Sequence, residues 1–349
     1  MKFLQRGGLL ALALMAVSGV ANAQDLFIGD FGGNALMRFN GVTGAGPTGA
    51  VGVNNVEHIQ TTASTLYANS FFDGKIKRFD RTTLAALPDF ATLPGGLGLQ
   101  TSADSSKLFT TNSRLNLILD ASVRRYDITS GLVEAEVNLN TFFGDNQVNP
   151  WSIRLDSTGN NLLFSMGFSG DNTFTPNAAR GIYSLPTNFT NASTPVTLVS
   201  AANLGGINRP AGVAVLPSGD FFVVGSQFDG GPITINRYAA GGGAPVATVT
   251  DGVGGAIFNT LSGYDIAIGF DGNLYATANP SGGNACVLKI NVATNTLDST
   301  FVSASGGVHL AKTLHFDQFS AGASAPEPGT LALGALGLMG LVVARRRKP

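Results

Sequence analysis

The feature that most constrains this chain is a pair of short apolar strands that recurs six times. The first member of each pair is Leu26-Phe27-Ile28, Leu66-Tyr67-Ala68, Leu108-Phe109-Thr110, Leu162-Leu163-Phe164, Phe221-Phe222-Val223 and Leu274-Tyr275-Ala276. The second member follows within about twenty residues, as in Met37-Arg38-Phe39-Asn40, Ile76-Lys77-Arg78-Phe79-Asp80 and Val287-Leu288-Lys289-Ile290-Asn291. First positions at 26, 66, 108, 162, 221 and 274 are 40, 42, 54, 59 and 53 residues apart. That period is the length of a four-stranded propeller blade of about 40 to 50 residues carrying loop insertions. The alternation is strand-like, and no helical period of useful length appears between the two ends of the chain. The expectation is an all-β, six-bladed β-propeller.

Ahead of several units comes a further strand and a tight turn. Gly212 to Val215 precedes Pro217-Ser218-Gly219-Asp220, and Tyr264 to Ile268 precedes Asp271-Gly272-Asn273. Both are hairpin turns, because glycine tolerates the positive φ they need. The first unit lacks this leading strand, and one is left over around residues 307 to 319. A C-terminal strand that completes the first blade would close the ring and remove exposed sheet edges.

Composition fits a turn-rich exported chain, with 46 glycines and only 12% charged residues among 349. The single cysteine, Cys286, allows neither an intramolecular disulfide nor a Cys-rich metal site. Six of the 21 basic residues and one of the 22 acidic ones lie at the ends, which leaves the body 15 basic against 21 acidic. A nucleic-acid partner is excluded on that balance, since duplex binding needs clustered cations against phosphate.

The ends carry targeting signals. Residues 1–23 read as a secretory signal peptide, with Lys2 and Arg6, an apolar run from Leu9 to Val17, and Ala21-Asn22-Ala23 where signal peptidase cuts. The propeller occupies 24–319, and 320–329 is a linker containing Pro326-Glu327-Pro328. Residues 330–349 hold an apolar stretch, Thr330 to Ala344, and the basic cluster Arg345, Arg346, Arg347 and Lys348. As a transmembrane helix that stretch would reach about 22 Å, and flanking arginines can snorkel to cover part of the shortfall. The basic cluster keeps the C-terminus cytoplasmic and the body outside.

The order Pro-Glu-Pro, short apolar helix, terminal arginines resembles the PEP-CTERM sorting signal. The resemblance implies an exosortase that cuts near Pro326, Glu327 and Pro328. It also implies transient anchoring in the inner membrane before transfer to the cell surface or extracellular polysaccharide.

The body, in segments such as Arg209-Pro210-Ala211-Gly212-Val213 followed by Ser218-Gly219-Asp220-Phe221, resembles NHL-type and gluconolactonase-like six-bladed propellers. Leading strands of a propeller line its central channel. Alignment of the units then puts Glu57, Trp151 or Ser152, Gly212, Asp265 and His309 there, with Asn149 nearby. The gluconolactonase resemblance implies a metal, Ca²⁺ or another divalent cation, at Glu57, Asn149 and Asp265, since such ions take oxygen ligands. His58 should face away from Glu57 on an alternating strand. No catalytic residues are assigned, because no nucleophile motif or phosphate loop is present. The leading reading is therefore a non-catalytic surface or matrix protein whose propeller binds a glycan or a surface protein. The alternative is a metal-dependent, lactonase-like hydrolase at the channel.

Overall fold

The computed structural model describes residues 24–113, 120–144, 148–169, 176–225, 234–253, 261–280 and 284–317. Asp25–Phe319 forms one compact unit. The expected signal peptide, apolar stretch and basic tail lie outside the described residues.

Six antiparallel sheets succeed one another along the chain, each with its strands in order from the channel outward. Blade 2 is typical, with Val56–Thr61 innermost, then Thr65–Ser70, Lys75–Asp80 and Ala86–Thr92. Blade 3 runs Gly96–Thr101, Lys107–Asn112, Ser122–Asp127 and Val133–Asn138, and blade 4 opens with Val148–Leu155 and Asn161–Ser169. Blade 5 opens with Pro210–Val215 and Phe221–Gly225. In blade 6 two short pieces, Leu261–Ser262 and Ile266–Ile268, share the innermost position against Leu274–Pro280.

Closure is as the repeat count requires. Ala311–Phe316 pairs antiparallel with Asp25–Asp30 and is the innermost strand of blade 1, so the C-terminal strand joins the N-terminal blade. The ring is thereby shut by about six residues of backbone hydrogen bonding, and the innermost edge of blade 1 is covered.

The recurring strands are apolar on both faces because each blade is sandwiched between two others. In Asp25–Asp30, Leu26 and Ile28 pack with Tyr275 and Val287 of blade 6, while Phe27 packs with Val56 and Ile59 of blade 2. Tyr67 of blade 2 meets Leu99 and Leu108 of blade 3, and Phe109 of blade 3 meets Ile153 and Phe164 of blade 4. Leu163 meets Val213 and Phe221, and Phe222 meets Ile266 and Leu274. A strand of period 2 thus feeds neighbouring cores alternately. Stability is distributed over six inter-blade cores.

One irregularity repeats in all six blades. Toward its N-terminal end the innermost strand carries one residue more than its partner: Glu57 in blade 2 and Lys312 in blade 1 are left over by the register. Leu97 and Gly98 oppose the single Thr111, Trp151 and Ser152 oppose Ser165, and Ala211 and Gly212 oppose Val224. In blade 6, Gly263, Tyr264 and Asp265 span the space of Thr277 and Ala278. Such a bulge leaves backbone groups out of the ladder and re-aims side chains.

The freed backbone groups find partners from side chains. Thr111 Oγ1 accepts the Gly98 N–H at 2.7 Å and donates to the Trp151 carbonyl of the next blade at 3.1 Å. Ser165 accepts the Ser152 N–H and donates to the Ala211 carbonyl. Asn69 donates to the Leu97 and Gly98 carbonyls, and Asn279 bonds both the N–H and the carbonyl of Ala311. Four of the six junctions are therefore stapled through a bulge. Thr111→Val keeps the shape but orphans a buried N–H and a buried carbonyl, and the expected loss is about 1–3 kcal/mol for each group left unsatisfied. Urea denaturation of the variant measures it; a loss below about 0.5 kcal/mol, the level of an ordinary surface change, would refute the staple.

Candidate functional site

The bulges decide which side chains enter the channel. At the N-terminal ends of the innermost strands stand Glu57, Trp151, Tyr264, Asp265 and Lys312, and all five are buried. The sequence alignment placed three of them there, Glu57, Trp151 and Asp265. His309, which it also placed there, lies two residues before Ala311–Phe316, with a side chain 64% exposed and Nδ1 2.9 Å from Asp30 Oδ2. Residues 304–306 form a 3-10 turn and Gly307 a left-handed cap, which delays the strand by a few residues, so Lys312 occupies the position expected of His309.

Lys312 Nζ lies 3.7 Å from Glu57 Oε1. It also lies 3.9 Å from the ring centroid of Tyr264, 4.5 Å from that of Trp151 and 4.9 Å from that of Phe31. Trp151 and Tyr264 stack at 6.2 Å with their planes 12° apart. Three aromatic faces at this range stabilise a cation. Burial raises the Glu57 carboxyl to about 7, against the pull of Lys312, and burial lowers Lys312, against the pull of Glu57.

Deeper in the channel Arg154 bridges three blades. Its Nη2 donates to both oxygens of Asp265 at 3.0 and 3.1 Å, and its Nη1 reaches His58 Nε2 at 2.7 Å. Asp265 also accepts from Thr313 Oγ1 at 2.8 Å and from the Leu314 and Ile266 N–H groups. His58 does not face away from the channel as simple alternation predicts. The bulge at Glu57 resets the alternation, and the two adjacent side chains reach Lys312 and Arg154 respectively. Burial, then the nearby Arg154 charge, hold the His58 imidazole neutral, well below its ordinary value.

These contacts test the metal that the gluconolactonase resemblance implies. Both oxygens of Asp265 are engaged by a guanidinium, a hydroxyl and backbone N–H groups, and Glu57 faces an ammonium. Glu57 Oε2 and Asn149 Oδ1 are buried acceptors with no hydrogen bond, but two oxygens beside a resident cation fall short of the six to eight that Ca²⁺ takes. Among the described residues no group of three or more His, Cys, Asp or Glu side chains is placed to hold a metal ion. The residues present do not fit a divalent cation at Glu57, Asn149 and Asp265.

The opposite end of the channel opens into a cup of about 450 Å³. Gln60, Gln100, Ser102, Arg154, Thr158 and His315 lie in its wall, each near the C-terminal end of an innermost strand or in the turn that follows. His315 bonds Thr61 at 2.8 Å, and Thr61 donates to Asp317 at 3.0 Å. Burial lowers the His315 pKa to about 4, so the ring is neutral at physiological pH. No sequence motif marks this cup, whose amides and hydroxyls come from separate blades.

The chain carries a PEP-CTERM protein-sorting motif. The match covers residues 324–348 and therefore includes Pro326, Glu327, Pro328 and the arginines 345 to 347. It implies an exported protein, transiently membrane-anchored and processed by an exosortase. Among the described residues no helix is long and apolar enough to cross a membrane. No curated protein matches the chain. Among solved structures, a chain of the nidogen/laminin complex is similar at 13% identity, covering 85% of this chain and 100% of that one with a TM-score of 0.59. TolB from Acinetobacter baumannii is similar at 12% identity, 87% and 69% coverage and a TM-score of 0.57. A gluconolactonase from Xanthomonas campestris follows at 15% identity, 73% and 76% coverage and a TM-score of 0.53. At such identities the likeness is one of fold.

Arg154→Met provides a test of the channel electrostatics. It leaves Asp265 buried without its cation, and the expected cost at neutral pH is about 3–5 kcal/mol. Burial already raises the Asp265 pKa from 3.8, so its contribution to stability is present below that pH and is lost as pH rises. The deficit of the variant, read from denaturation midpoints across pH, should be smallest below pH 3.8 and widen upward; a deficit independent of pH would contradict the assignment.

Proposed function

We propose that this exported, exosortase-sorted protein is a non-catalytic binding module, and that its ligand is an uncharged extracellular glycan held in the cup at the C-terminal ends of the innermost strands. The observation that carries the reading is the chemistry of the cup wall. Gln60 and Gln100 offer amides that both donate and accept, the Ser102 and Thr158 hydroxyls donate to Asp104 and Asp156, the Arg154 guanidinium is met by Asp265, and the Asp156 carboxylate also accepts from the Asn160 N–H and the Asn161 amide. Amides beside a hydrogen-bonded carboxylate and a paired guanidinium match sugar hydroxyls, which both donate and accept. A volume of about 450 Å³ falls in the usual range for small-ligand sites, about 300–1,000 Å³. The sorting motif supports the location, since it delivers the body to where surface and matrix polysaccharides are found.

The metal-dependent, lactonase-like alternative draws only on fold likeness. The engagement of Asp265 by Arg154, Thr313 and backbone weighs against it.

Two experiments test the proposal. Titration of the protein with neutral oligosaccharides from its host's matrix should show binding, and Gln60→Ala with Gln100→Ala should weaken it about tenfold or more, the worth of one or two net hydrogen bonds. Unchanged affinity in the double variant would remove the cup from consideration. Separately, alanines in place of Pro326, Glu327 and Pro328 should leave export and folding intact but trap the protein in the membrane fraction, whereas a chain ending at Ala325 should appear soluble outside the cell. Release of the alanine variant at the normal rate would contradict exosortase sorting.

A further inference from the structure

Five lysines lie in the body, and four of them are alike. Lys75, Lys77, Lys107 and Lys289 sit on second or third strands with a carboxylate oxygen at 2.7, 3.2, 2.6 and 2.8 Å respectively. Lys312 is the exception. It is the extra residue of its strand, buried against Tyr264, Trp151 and Phe31, and its carboxylate stands off at 3.7 Å. Glu57 holds one oxygen near the amine, while its Oε2 is buried with no hydrogen-bond partner. An amine, a carboxyl able to carry a proton, and aromatic faces that favour a cation are thus collected at one point, outside the cup described above.

We propose that Lys312 is a carbonyl-capture site, at which its ε-amine condenses with a small aldehyde while Glu57 carries the proton. The ammonium first passes a proton to the Glu57 carboxylate. The nitrogen lone pair then attacks the carbonyl carbon, forming a C–N bond as the C=O π pair moves to oxygen, and Glu57 returns its proton to that oxygen. Loss of the hydroxyl with a second nitrogen proton releases one water and leaves a protonated imine. In sum, one ammonium and one aldehyde give one iminium ion and one water, with no electron gained or lost. The charge is +1 before and after, so the attraction of the three rings is retained in the product. Crowding by those rings and Glu57 restricts the partner to an unhindered carbonyl, which means an aldehyde rather than a branched ketone.

The proton balance of the lysines agrees. Hydrogen bonding to carboxylates holds Lys75, Lys107 and Lys289 above their ordinary value, whereas burial holds Lys312 below it. Free amine, the reactive form, is correspondingly richer at Lys312.

The test uses the full-length chain in detergent with limiting glycolaldehyde and sodium cyanoborohydride at neutral pH, followed by peptide mass mapping. Lys312 should gain a hydroxyethyl group faster than Lys75 and Lys107, by about tenfold for each pKa unit that separates them. Glu57→Gln should slow that gain while leaving the labelling of Lys75 unchanged. Trp151, the sole tryptophan, reports independently. Its fluorescence should change on addition of glycolaldehyde alone, and the change should vanish in Lys312→Arg, which keeps a cation among the rings but forms no imine. Labelling of Lys312 no faster than of the other lysines, or an equal fluorescence response in Lys312→Arg, would overturn the proposal.

Discussion

The ring depends on hydrogen bonds that run sideways from one blade to the bulged backbone of the next. Apolar packing between blades supplies most of the burial, but burial is non-directional and sets no register between neighbouring sheets. The staples from Asn69, Thr111, Ser165 and Asn279 do set it. Each reaches a named carbonyl or N–H of the following blade, and each meets a group that the bulge has removed from its own ladder. The bulge and the staple require one another: without the staple the bulge orphans buried backbone, and without the bulge the staple has no partner.

The same bulges determine the chemistry of the channel. A regular strand would send alternate residues inward, whereas the extra residue lets Glu57 and His58 both find partners there, and brings Lys312 beside Glu57. The result is a central column of paired charges. Such pairs are weak contributors to net stability because desolvation offsets the attraction. Their consequence is specificity of another sort: Asp265, given to Arg154 and Thr313, is held as part of the structure and is not left open to a cation. Likeness of fold does not fix the chemistry of a channel.

The two ends of the channel differ for a related reason. At the N-terminal ends of the innermost strands the bulges bring aromatic and ionisable side chains together around Lys312. Toward the C-terminal ends the ladders are regular and lead into tight turns. Gly219 and Gly272 take φ of 93° and 75° there, a conformation that permits two-stranded reversal without a long loop. The walls of the cup are consequently short polar strand ends, such as Gln60 and Gln100, whose amides stand beside Arg154 and Asp156.

The number of blades, their strand order and the closure by a C-terminal strand were all legible from the chain, because apolar pairs at a blade-length period can bury both faces in no simpler way. The sorting motif was legible too, since order and terminal position define it without any fold. Three of the channel residues, Glu57, Trp151 and Asp265, followed from the repeat alignment. His309, the orientation of His58, the role of Lys312 and the cup did not. Each depends on a one-residue bulge or on contacts between residues as distant as Arg154 and Asp265. A sequence read locally carries period and polarity, but the register that pairs a given amine with a given carboxylate is settled only when six sheets close on one another and every buried backbone group must find a partner.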